Sequence, residues 1–134
     1  MNDKAYLGLM ENLRGRGMQP MDLSIGFGWI PMVDGLMESL DELAPGRWKP
    51  TQIKEKFRGL RFYYDLDTEG LSDEEGNGLH DRVRSLVSEV EKRSYLVCES
   101  CGADGKGRAT RHGHYVTLCD EHAPEGSKLL RSDD

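Results

Sequence analysis

The sequence predicts an α+β fold: two amphipathic helices and a β-hairpin forming a small body, followed by a C-terminal zinc ribbon. Three observations carry this. Apolar residues recur at helical spacing in two well-separated segments, and a stretch between them alternates with the period of a strand. Beyond both, two short ligand pairs rich in cysteine lie seventeen residues apart.

A short helix is expected first, capped by Asn2 or Asp3, with Tyr6, Leu9, Met10 and Leu13 along one side. Gly15-Arg16-Gly17 ends it. A loop with Pro20 leads to Gly28-Trp29-Ile30-Pro31, where the proline suits a first helical turn because its missing N–H costs nothing there. Met32, Val33, Leu36, Met37, Leu40 and Leu43 then mark an amphipathic helix over 31–44, stopped by Pro45-Gly46. Met32 and Met37 are expected in the core. Trp29, with Phe27 and Ile30, either packs as a hydrophobic staple or stands out as an anchor for a partner.

A hairpin is expected over 51–66, turning at Arg58-Gly59. Ile53 and Phe57 alternate with lysines on its first strand; Leu60, Phe62 and Tyr64 share one face of the second, opposite Arg61 and Tyr63. The acidic, glycine-containing segment 67–78 reads as an exposed loop. Leu79, Val83, Leu86, Val87 and Val90 define a helix over 79–94 whose stripe should pack on the Leu60-Phe62-Tyr64 face. These elements set an expected body at 1–95, a ribbon at 96–124 and a flexible tail at 125–134.

The metal site is the most specific signal. Cys98-Glu99-Ser100-Cys101-Gly102 and Cys119-Asp120-Glu121-His122 each separate two ligands by two residues, which lets the chain turn back on one ion. Thiolates with one imidazole favour tetrahedral zinc, so Cys98, Cys101, Cys119 and His122 are expected to hold one structural Zn2+. The resulting centre carries a net charge near minus one, for which Arg108 or Arg111 is the candidate counter-charge. The intervening glycines and the strand-like Tyr115-Val116-Thr117-Leu118 fit a hairpin joining the two pairs. His112 and His114 lie in that interval. They read as an exposed turn, or else as the histidines a metal-dependent nuclease or hydrolase would need.

Three cysteines confined to 98–119 favour metal over disulfides, hence a reducing, cytoplasmic compartment; no signal peptide or membrane-spanning run is expected. A net charge of −6 argues against non-specific coating of DNA or membranes. Locally, Lys54, Lys56, Arg58 and Arg61 with Phe57 and Phe62 make a basic hairpin able to grip phosphates or an acidic protein face, or simply a solvated surface. No nucleophile arrangement, phosphate loop or paired carboxylates points to a reaction, so the chain is expected not to be an enzyme and to bind no small-molecule substrate.

Taken together, Gly28-Trp29-Ile30-Pro31, the run from Lys54 to Tyr64, Cys98-Glu99-Ser100-Cys101-Gly102 and Thr117-Leu118-Cys119-Asp120-Glu121-His122 resemble an uncharacterised family of small bacterial, phage and prophage zinc-ribbon proteins. Members tend to carry glycine where this chain has Arg58. The resemblance implies a phage-associated context and carries over no activity. In such a setting the chain is expected to work in the bacterial host cell, with a host protein complex (a defence complex or the transcription apparatus) as its partner. Direct nucleic-acid binding is the alternative. The ligand spacing alone is similar to the zinc finger of the DksA/TraR family, but the acidic-tipped helical hairpin of that family has no counterpart ahead of Cys98.

Overall fold

The computed structural model describes residues 3–131 and is of mixed α+β type. Helix α1 spans Asp3–Gly15, and a short strand β1 (Leu23–Ser24) follows. Asp3 is already helical and is therefore not the cap; Asn2 lies outside the described residues. Helix α2 (Ile30–Leu43) starts with Pro31 in its first turn and buries Met32, Val33, Leu36, Met37 and Leu40, as their spacing predicts.

Strands β2 (Trp48–Lys56) and β3 (Gly59–Leu66) form the antiparallel hairpin, longer at its start than expected. The turn is Phe57-Arg58, one residue earlier than the sequence suggests, with φ of 51° and 66°. Both residues occupy the left-handed region that type I′ hairpin turns demand and that glycine or asparagine usually fills. Gly59 is needed for another reason: a Cβ there would lie 2.4 Å from the Tyr95 ring. Phe57 therefore leaves the strand alternation and stands 67% exposed at the tip. β1 adds in parallel to β2, giving the order β1-β2-β3.

Helix α3 spans Asp73–Ser94, so half of the segment expected to be an acidic loop is helix. Ser72 accepts from the Glu75 N–H while the Glu75 carboxylate accepts from the Ser72 N–H, a capping box that starts the helix within the acidic run. The carboxylates of the first turn also suit the positive end of the helix dipole.

α3 packs on β3 and on α2, and α1 packs on α2. The core thus gathers Trp29, Val33, Leu36, Leu40, Ile53, Leu60, Phe62, Val83 and Val87. Each such side chain, fully buried, contributes about 1.5–3 kcal/mol. Tyr64 is half-buried at the margin of the same face. α3 also closes the outer edge of β3: the Leu60 N–H donates to Ser94 Oγ at 2.8 Å and the Phe62 N–H to Glu91 Oε2 at 2.8 Å. A strand edge covered this way offers fewer free backbone groups to another chain.

The second sheet, ordered β5-β4-β6, is built from β4 (Lys106–Ala109), β5 (Tyr115–Leu118) and β6 (Lys128–Leu129). Strand β6 pairs with β4, so part of the segment expected to be a flexible tail belongs to a sheet. Among the described residues no helix is long and apolar enough to cross a membrane.

Candidate metal centre

Cys98 follows α3 by four residues, and the chain reverses immediately after it. The Gly102 N–H donates to the Cys98 carbonyl at 2.9 Å and the Cys98 N–H to the Ala103 carbonyl at 2.7 Å. Gly102 takes a φ of +85°, which lets the turn close. The second pair turns similarly, with the His122 N–H donating to the Cys119 carbonyl at 3.2 Å. The β4–β5 hairpin returns the chain between the pairs, and Glu99 N–H donates to Thr117 O at 3.0 Å, locking one pair beside the other.

The result brings together all four side chains singled out in the sequence. Their ligand atoms lie within 4.8 Å of one another, and this is a group able to hold one metal ion. Cys101 and Cys119 sulfurs are 3.7 Å apart, too far for a disulfide and close to the roughly 3.8 Å edge of a tetrahedron with about 2.3 Å bonds to sulfur. Cys119 Sγ and His122 Nδ1 are 3.2 Å apart. Cys98 is fully buried, whereas Cys101 and His122 are exposed.

Cys98 is prepared to be a thiolate. Burial pushes its thiol up, but the N–H groups of Cys119, Cys101 and Ser100, with the Cys101 side chain, outweigh burial and bring it down to about 7. Cys101 goes the other way. The Ala103 N–H favours its thiolate, yet desolvation and the neighbouring sulfurs of Cys98 and Cys119 raise it.

Of the two candidate counter-charges, Arg108 is buried beside the second pair. Its Nε donates to the Leu118 carbonyl at 2.9 Å and its guanidinium holds Asp120 at 2.6 Å. Arg108 keeps the Asp120 carboxyl below the ordinary range, with Lys106 assisting. Arg111 is exposed, with its stem against Gly126. His112 and His114 are exposed around Gly113 and stand outside the ligand group.

The metal-ligand segment is interlocked with the N-terminal half. Gly28 N–H donates to Glu99 O at 2.7 Å, Gly26 N–H to Glu99 Oε2 at 2.9 Å, and Trp29 Nε1 to Val97 O at 2.9 Å. A Cβ on Gly28 would sit 2.1 Å from the Cys98 carbonyl oxygen. Trp29 is completely buried, which corrects the expectation that it is an exposed anchor: its indole N–H is satisfied inside and its ring belongs to the core.

The four cations of the hairpin are not equivalent. Arg58 reaches the Tyr95 carbonyl and Thr117 Oγ1, and its guanidinium lies 4.8 Å from the centre of the Tyr95 ring. Arg61 bonds the Leu60 carbonyl and the Tyr95 hydroxyl. Among the described residues Lys54 and Lys56 carry only ring contacts, to Tyr63 and Phe57. Sequence reasoning assigns no structural role to Gly26, Gly28 or Glu99 and does not foresee the Thr117 contacts. The only sequence signal for them is the glycine pair flanking Phe27, which permits close approach of two backbones.

No protein-family model, curated protein or solved structure matches the chain.

Proposed function

We propose that Cys98, Cys101, Cys119 and His122 hold one structural zinc ion in a zinc ribbon, and that the chain is a non-enzymatic binding protein. Four protein ligands complete a tetrahedron and leave no position for a reacting water, which supports a structural role for the metal. In the phage setting that the sequence resemblance implies, the partner is a protein machine of the bacterial host, met in its cytoplasm.

The observation that carries the binding reading is the hairpin tip. Phe57 is exposed in a left-handed conformation, on a turn that Arg58 ties to Tyr95 and Thr117. Strained backbone held by its surroundings is characteristic of working positions. Lys54 and Lys56 flank the tip, so a partner with an apolar pocket and an acidic rim fits it. Nucleic acid fits less well. Arg58 and Arg61 are engaged within the chain, leaving few cations for phosphates on a protein of net charge −6.

The test places a photo-crosslinking phenylalanine analogue at position 57 and captures adducts from bacterial lysate, with and without nuclease. A protein adduct that survives nuclease and disappears with Lys54→Glu/Lys56→Glu is expected. An adduct abolished by nuclease moves the reading to nucleic acid. Elemental analysis of the purified chain should give one zinc per molecule, and its absence would remove the metal assignment.

A further inference from the structure

Between α1, the loop ahead of α2 and the first cysteine pair lies an open cleft of about 450 Å³. Tyr6, Ile25, Phe27 and Leu118 supply apolar walls, and among the described residues Glu99 is the only charged one lining it. The Tyr6 and Phe27 rings meet edge to face with centres 5.4 Å apart. Glu99 accepts from Gly26 N–H through Oε2, and makes no ion pair among the described residues. A half-buried carboxylate beside apolar walls, with no ion-pair partner among the described residues, calls for a positive group.

We propose that this cleft receives an arginine or lysine side chain of a partner protein. The aliphatic stem of such a residue packs against Ile25, Phe27 and Leu118 while its charged end meets Glu99, the division that long basic side chains adopt at apolar surfaces. An anionic ligand would face Glu99 without compensation. A cleft this open encloses only one end of a ligand, which suits a side chain projecting from a larger body better than a free metabolite. The inference shares with the proposed function only the premise that the chain binds a protein, and it uses a different surface.

The full zinc-loaded chain, isotopically labelled, is titrated with the blocked tripeptide Gly-Arg-Gly while the amide signals of Gly26, Phe27 and Ser100 are followed by NMR. The expected result is a saturable shift at those amides with Kd on the order of 1–10 mM. Citrulline in place of arginine should bind at least about tenfold more weakly, the effect of 1.4 kcal/mol. Glu99→Gln, which keeps an acceptor for Gly26 N–H, should abolish the shift. If that variant alters signals across the whole spectrum, the citrulline comparison on the native chain decides alone. No saturable shift, or equal binding of citrulline, overturns the proposal. Equal binding of tetramethylammonium also overturns it, assigning the cleft to a small free cation. Lys54→Glu/Lys56→Glu should bind the tripeptide like the native chain, so failure of the hairpin reading and failure of this one are distinguishable.

Discussion

Arg58 lies across Gly107: a Cβ on that glycine would meet the guanidinium carbon at 2.7 Å. The contact joins the hairpin turn to the sheet beside the candidate metal ligands, and Arg58 and Thr117 complete it. Thr117 Oγ1 donates to the Arg58 carbonyl at 2.7 Å while accepting from the guanidinium at 3.2 Å.

Two glycine-to-alanine substitutions should separate a yielding contact from an unyielding one. At Gly107 the obstacle is the end of a flexible side chain, so Gly107→Ala should displace Arg58 at a cost of about 1 kcal/mol and keep the metal. At Gly28 the obstacles are backbone atoms of Cys98, Cys101 and Gly102. Gly28→Ala should cost more than about 3 kcal/mol and lose metal affinity. Thermal denaturation with a zinc-release assay measures both.

Phe57→Asn should stabilise the chain and weaken partner capture. Asparagine tolerates the left-handed conformation that costs other residues about 1–2 kcal/mol, and little buried surface is lost at an exposed site. A rise of about 1 kcal/mol in unfolding free energy, with loss of the partner, is the expected pairing. An unchanged partner yield would remove Phe57 from the binding surface.

Ser94→Ala removes the acceptor of the Leu60 N–H at a fully buried position. The orphaned donor should lower stability by about 1–3 kcal/mol, with faster hydrogen exchange at the Leu60 amide than elsewhere in β3.

Asp41 of α2 ties together the turn after α1 and strand β2: Arg16, just past α1, bonds both its oxygens, at 3.0 and 2.8 Å, and Trp48 Nε1 of β2 donates at 3.1 Å. The Arg16 hydrogen bond is the main reason its carboxyl lies below the ordinary range; desolvation opposes, and Arg16's charge and Trp48 assist. A depressed carboxylate adds stability that is complete above its unfolded pKa of about 4 and is lost as pH falls through the lower folded value. Asp41→Asn should therefore cost under about 1 kcal/mol at neutral pH, since the pair is largely solvated. The gap to the native chain should vanish in strong acid, as urea denaturation across the acid range will reveal.

The ligands and the core stripes were legible because their spacing obeys a local rule. Two residues between ligands suffice to fold a pair around an ion, and Val83, Val87 and Val90 mark one face of a helix whatever surrounds it. The start of α3 was obscured because Gly76 and Gly78 amid acidic residues look like a loop. In the fold, Gly76 is buried facing Thr68, and the reciprocal Ser72–Glu75 bonds set the helix going. The hairpin turn was misplaced for a related reason: Gly59 advertises a turn, whereas the Tyr95 ring claims the space of its missing side chain. Trp29, Glu99 and Thr117 take their roles from contacts dozens of residues away, and no local pattern encodes those.

The bond from Gly26 N–H to the Glu99 carboxylate spans 73 positions. Synthesis therefore delivers the cradle of Gly26, Gly28 and Trp29 long before the cysteines that it receives. The nascent chain makes its lock before its key, and all of α3 lies between the two. The four candidate metal ligands are together only once His122 has emerged. A ribosome stalled before Cys119 would hold a chain with all three helical segments made and only two of the four candidate ligands present.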